Sequence, residues 1–260
     1  MPKNRMHTQG DCTVNDRRSA SVLQENIYKT DAPQQHAELK DVEVRKIISE
    51  ITRGEHCRIL DVGCGDGSLL QPFSETNECF GLDISMPQLE KAEKRNIRAF
   101  RVDLETGEFP FPNDSFDLVI CSETIEHLLD VDNLLSEAHR ILKFEGKLIL
   151  TFPNINQPVS WLTQIIYDIP PMYSARYKSP HVRDYTARIV KNILVDFGFE
   201  VIRARGTYIY PNKGRISRWL AERFPRLAEK IIIVSKKRRK GQTLRKKVIW
   251  NVLEITNRNR

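Results

Sequence analysis

The chain has 260 residues, 40% hydrophobic, 29% charged and 8% aromatic, a balance that excludes disorder of the whole chain and predicts one large globular domain with additions. Its 12 glycines and 13 prolines exclude collagen-like and Pro-rich architectures, and no apolar run approaches the roughly 18 residues needed to span a bilayer. The net charge of +7 hides an asymmetry: from Lys213 onward 16 Lys and Arg stand against Glu222, Glu229 and Glu254, whereas residues 1–212 hold 25 basic and 31 acidic side chains.

In chain order, residues 1–32 are polar and irregular and are expected to be disordered, with no apolar run after Met1 of the kind a secretory signal carries. Ala37, Leu39, Val42, Val44, Ile47, Ile48 and Ile51 recur at helical spacing, and Gly54 stops the pattern. Arg58–Val62 reads as a buried strand that ends in a glycine-rich turn, and Gly67 to Phe73 as the start of a helix. Cys79–Asp83 is a second strand, 86–95 a helix and Ala99–Val102 a third strand. Phe116–Cys121 is a fourth strand, Val131–Leu142 a helix and Lys147–Phe152 a fifth strand. Strands alternating with helices at this spacing predict a doubly wound, mainly parallel sheet of the α/β class.

Residues 153–180 break that rhythm with five prolines plus Trp161, Tyr167, Tyr173 and Tyr177. They read as an insertion over the carboxyl edge of the sheet. A helix from Thr186 to Phe197, a strand from Glu200 to Ala204, a helix from Trp219 to Leu227 and a last strand at Ile231–Val234 follow. The chain therefore divides into an N-terminal segment (1–32), a domain (33–235) and a basic tail (236–260). Five widely spaced cysteines without a C-x-x-C pair predict reduced thiols in a cytoplasmic protein.

The chemistry concentrates in Asp61-Val62-Gly63-Cys64-Gly65-Asp66-Gly67, between a strand and a helix, where doubly wound folds place their ligand. A dinucleotide site needs G-x-G-x-x-G; here Ser68 holds the last position and an acid precedes the glycines. An acid-flanked turn suits a cofactor that carries a cation and no phosphate. Sixteen residues after Gly67, Asp83 ends the second strand, where a carboxylate can accept from both hydroxyls of a ribose. Asp103 and Leu104, after the third strand, offer a carboxylate and an apolar contact for an adenine. Cys64 is expected to be a small packing residue.

These residues, with Gly81-Leu82-Asp83-Ile84, Phe116–Cys121, Glu123–Leu128, Leu134–Leu142 and Gly146-Lys147-Leu148, resemble the class I S-adenosylmethionine-dependent methyltransferases, in particular the methyltransferase type 11 and quinone-biosynthesis-like group. The resemblance runs from about Ile59 to Phe152, and more loosely to Val234. It implies a seven-stranded, Rossmann-like sheet with one antiparallel strand near its C-terminal end, and S-adenosyl-L-methionine as cofactor. It implies that Asp61, Gly63 and Gly65 form the turn around the methionine portion. It places Asp83 on the ribose and Asp103 and Leu104 on the adenine.

Glu123, Glu126 and His127 fall at i, i+3 and i+4 after the fourth strand and share one face if the segment is helical. They are expected to line the acceptor side and to orient or deprotonate the acceptor, with no metal ion assigned. A divalent-metal cluster completed by His181 stays open as the alternative; similar clusters occur in metal-dependent quinone O-methyltransferases and small-RNA 2′-O-methyltransferases. Lys236–Lys240 and Arg245–Lys247 precede Val248-Ile249-Trp250, a combination suited to peripheral contact with an anionic membrane on its inner face; nucleic acid is the weaker expectation. The activity expected is methyl transfer to a small-molecule, glycan or lipid-precursor acceptor. An RNA 2′-O-methyltransferase and a non-catalytic cofactor-binding partner protein are the alternatives.

Overall fold

Short runs bounded by turns, apolar in the central strands, make the sheet, and the computed structural model joins seven of them while describing residues 39–168 and 181–238. Segment 1–32, Cys12, residues 169–180 of the insertion and the tail after Arg238 lie outside the described residues.

Helix α1 (Leu39–Thr52) turns Val44, Ile47 and Ile48 inward and stops before Gly54. It leads into β1 (Arg58–Val62), β2 (Glu78–Asp83), α2 (Met86–Glu93), β3 (Arg98–Arg101) and β4 (Phe116–Ser122). Next come α3 (Asp132–Ile141), β5 (Leu142–Pro153), α4 (Pro158–Tyr167), α5 (Ala187–Asp196), β6 (Phe199–Gly206), α6 (Arg215–Arg223) and β7 (Lys230–Lys237). The strand order is β3-β2-β1-β4-β5-β7-β6. Strand β7 runs antiparallel to β5 and β6, and the β1–β2, β1–β4, β2–β3 and β4–β5 pairs are parallel. This is the seven-stranded, doubly wound α/β architecture expected.

Alternation along the strands feeds two cores. Leu60, Val62, Val119, Cys121, Leu148 and Leu150 face one layer. Ile59, Leu118, Ile120, Ile149, Ile232 and Val234 face the other, against α1. Each fully buried Leu, Ile or Val contributes about 1.5–3 kcal/mol relative to exposure. Both faces of the central strands are apolar, which is why those strands read as continuous runs.

Several boundaries differ from expectation: the helix expected over Trp219–Leu227 runs Arg215–Arg223 and is followed by a 3-10 turn at Pro225–Leu227, and three others have a readable cause. The stretch 67–73 forms a tight turn and one 3-10 turn at Gln71–Phe73, not a helix. There the Asp66 carboxylate accepts the Ser68 N–H at 3.0 Å, and Pro72 has no N–H to continue a helical ladder. Strand β5 begins at Leu142, five residues early. Strand β7 runs to Lys237, past the expected end at Val234 and past the domain boundary at 235. Lys237 is 3% exposed, and its ammonium donates to the Leu142 carbonyl at 2.7 Å and to Asp114 at 2.8 Å.

Candidate functional site at the carboxyl edge of the sheet

Strands β1, β2 and β3 lie side by side and end at one edge, so the topology delivers Asp61, Asp83 and Asp103 to neighbouring positions. Directly after β1 the chain bends sharply. Gly63 has φ +78°, and its N–H and that of Cys64 donate to the Leu82 carbonyl at 2.7 and 3.0 Å. A Cβ on Gly63 would stand 2.5 Å from Thr124 Oγ1, so the position needs glycine for its backbone and for its space. A Cβ on Gly65 would meet nothing within 4 Å; the turn is open on that side. Cys64 instead packs against Gly81, where a Cβ would stand 2.6 Å from its sulfur. Burial drives its thiol far up. It is a packing residue, as expected.

Asp61 is 2% exposed, and its Oδ1 has no hydrogen-bond partner among the described residues. Burial pushes its carboxyl up to about 7, against the nearby charge of Lys40 and with a smaller push from Asp83. A buried acid without a partner is costly and suits a cation brought by a ligand. Asp83 accepts the Gly65 N–H at 2.9 Å on one oxygen and the Ser85 N–H at 2.9 Å on the other. Burial raises its carboxyl, and these amides hold it back. Each oxygen keeps a lone pair for a ribose hydroxyl.

Asp103 is half-buried and accepts the Glu105 N–H at 3.0 Å, while Leu104 is buried. Asn133 from α3 fixes this loop by donating to the Leu104 and Gly107 carbonyls at 3.1 and 2.9 Å. An orphaned buried carboxylate, an open glycine turn and an adjacent half-satisfied acid fit a cofactor with a cationic methionine end and an adenosine.

The segment after β4 does not meet the condition of a continuous helix. Glu123 has φ +56°, and only Ile125–His127 form a 3-10 turn. Glu123, Glu126 and His127 therefore do not share a helix face. The Glu123 carboxylate is taken up by Lys230 at 2.7 Å and by the Thr151 hydroxyl at 3.2 Å. Glu126, His127 and His181 come together instead, with one ligand atom from each within 4.8 Å of the others. The two imidazoles stand edge to face with centroids 4.9 Å apart, and His181 Nε2 is 4.0 Å from Glu126 Oε1.

Glu126 is 1% exposed, and neither carboxylate oxygen has a hydrogen-bond partner among the described residues. Burial pushes its carboxyl well above the ordinary range, with Glu123 adding to the rise and Lys230 and Lys40 opposing it. Burial also lowers His181, against the charges of Glu123 and Asp184. The backbone brings His181 here: the N–H groups of Val182 and Arg183 donate to the Glu126 carbonyl at 2.8 and 3.2 Å.

Sequence reasoning missed Lys230, Lys40 and Thr124. Only Thr124, inside the Glu123–Leu128 segment, carried any signal; its hydroxyl donates to the Val62 carbonyl at 3.1 Å and closes the glycine turn. The two lysines gave none: Lys230 meets Glu123 from far away in sequence, and Lys40 pairs with its neighbour Asp41 and acts on Asp61 and Glu126 only through its charge.

Residues 60–150 match the family model described as a methyltransferase domain. The methyltransferase YcgJ of Bacillus subtilis is 36% identical over 104 residues, which is 38% of this chain and 41% of that protein. Its crystal structure superposes with a TM-score of 0.53 at 19% identity, covering 76% of this chain and 99% of that one. Protein MJ1123 of Methanocaldococcus jannaschii is 31% identical over 166 residues, 64% of this chain and 74% of that protein. The 27-O-demethylrifamycin SV methyltransferase of Amycolatopsis mediterranei is 33% identical over 104 residues, 36% of this chain and 37% of that protein. The chain thus spans about two fifths of the length of the first of these curated relatives. With its strand order, its acid-flanked glycine turn and these matches, the chain belongs to the class I S-adenosylmethionine-dependent methyltransferases.

Proposed function

We propose that the protein is an enzyme that transfers a methyl group to a small-molecule, glycan or lipid-precursor acceptor. The observation that carries this reading is the orphaned carboxylate of Asp61 beside the open turn at Gly65. When bound, the cofactor supplies a methyl group on a sulfonium, an electrophile that is already activated. What remains for the protein is alignment, exclusion of water and, for a hydroxyl or ammonium acceptor, removal of a proton. Asp61 binds the cationic end, Asp83 the ribose, and Asp103 with Leu104 the adenine.

Facing them, Glu126, His127 and His181 hold the acceptor. The His127 imidazole takes the acceptor's proton, and His181 and Glu126 orient that ring. Support for a small organic acceptor comes from the rifamycin relative, whose name gives it one. A second reading rests on the closeness of Glu126, His127 and His181: an oxygen and two imidazoles suit a borderline divalent ion, which would polarise the acceptor in place of a base.

The experiment is transfer of label from methyl-labelled cofactor to fractionated cell extract, then turnover on the labelled compound. The proposal expects His127→Ala to lower turnover by roughly 10²–10⁴-fold, with cofactor affinity nearly unchanged and the wild type insensitive to a chelator. Abolition of wild-type activity by the chelator selects the metal reading. Full activity in His127→Ala rejects both.

A further inference from the structure

Helices α4 and α6 are inside out for a helix covered only by water. Helix α4, Pro158–Tyr167, contains no charged residue, and its one buried residue is Ser160. Leu162, Ile165 and Ile166 share a face at i, i+3 and i+4 and are exposed, Ile165 at 81%. Helix α6 buries Ser217 and Ala221 and turns Ile216, 75% exposed, and Trp219, 63% exposed, outward. Beside them on α6 stand Arg215 and Arg218, both exposed and neither in an ion pair among the described residues. Exposed apolar helix faces of this kind, with cations beside one of them, mark an interaction surface.

Both helices belong to the edge that carries the site. Helix α4 follows the end of β5, and α6 lies in the connection from β6 to β7. Pro153 pairs with Lys230, and Gly206 with Ile231, at that same edge. The Asn154 amide ties the two connections together by donating to the Arg226 and Ala228 carbonyls at 2.9 and 2.7 Å. Because β7 is antiparallel, the chain leaves the sheet for its basic tail at the opposite edge, beyond Lys237.

We propose that the α4–α6 edge docks on an anionic phospholipid surface and takes its acceptor from that surface. Aromatic and aliphatic side chains beside unpaired arginines have the chemistry of the headgroup boundary, where the rings enter the interface and the guanidiniums meet phosphates. The acceptor class, a molecule with a lipid anchor, rests on the methyltransferase reading above; the docking does not.

The test is co-sedimentation of the full-length protein with phosphatidylcholine vesicles with and without phosphatidylglycerol. Binding should require phosphatidylglycerol. It should fall about thirtyfold in R215A/R218A, at roughly fivefold per arginine near an anionic surface, and disappear in I165S/W219S. It should survive in a full-length variant with Arg239, Lys240, Arg245, Lys246 and Lys247 changed to Gln. In Trp250→Phe, the emission of Trp161 and Trp219 should shift to the blue on anionic vesicles. Unchanged binding in the α4 and α6 variants overturns the proposal, as does loss of binding in the tail variant alone. Displacement of vesicles by RNA held through the same arginines overturns it in favour of a nucleic-acid face. Self-association that I165S/W219S abolishes overturns it in favour of a second copy. Failure of the methyltransferase reading registers separately, as absence of cofactor binding by calorimetry, with the vesicle results untouched.

Discussion

Asp61 is a buried carboxyl with one unpartnered oxygen, and its isostere separates what that charge does for folding from what it does for binding. A carboxyl whose folded pKa lies above its unfolded value of about 4 favours folding in its protonated form. That contribution is present below about pH 4 and is lost as pH rises to about 7, the folded value of Asp61. Asp61→Asn should therefore raise the melting temperature of the cofactor-free protein at pH 8, measured by calorimetry. Unchanged or lowered melting would mean that Lys40 already compensates the charge. The amide should also weaken cofactor binding by about ten- to a hundredfold, the range for a lost charge-assisted hydrogen bond. Glu126 carries the same signature, with both oxygens unpartnered. Its placement was only half legible: the motif named Glu123, Glu126 and His127, but the left-handed Glu123 breaks the helix that would have aligned them. His181 was readable as a possible partner, and only the pairing of the 181–183 backbone with the Glu126 carbonyl shows why it reaches the site.

At the scale of elements, the glycine turn is the part least able to change. Gly63→Ala must hold a left-handed backbone, at about 1–3 kcal/mol, and place its Cβ against Thr124. The melting temperature should fall by several degrees, and cofactor binding should weaken with it. Near-wild-type melting would show that the turn can relax away from Thr124. The end of β7 gives a second prediction. A chain ending at Arg238 keeps the buried Lys237 and its bonds to Leu142 and Asp114. One ending at Ser235 leaves the Leu142 carbonyl without that donor, at about 1–3 kcal/mol. The shorter chain should melt several degrees lower; equal melting would make the last turn of the strand dispensable. Strand ends were poorly legible because Ser235, Lys236 and Lys237 are polar, and the acceptors that let Lys237 be buried come from β5 and the loop before β4. Helix 67–73 was misread for a related reason: the Asp66–Ser68 turn competes locally with the helical ladder.

For the whole molecule, the middle of the sheet was legible because its central strands are buried on both faces and appear as apolar runs between turns. The antiparallel β7 followed from the family resemblance, not from its own residues. The acceptor was not legible, since the insertion that follows β5 has no motif and is described only as far as Asp168. The central claim is that the carboxyl edge binds S-adenosylmethionine through an ionised Asp61. Binding the cationic end requires Asp61 to lose its proton, so affinity should be full above pH 7 and lost as pH falls below it. Titration calorimetry of the wild type and Asp61→Asn with S-adenosylmethionine, between pH 6 and pH 8, measures this directly. The account predicts that wild-type affinity falls by up to about tenfold per pH unit below 7, with proton release on binding, and that Asp61→Asn is weaker and flat across the range. No binding by the wild type, or a wild type whose affinity and pH profile match those of Asp61→Asn, would contradict it.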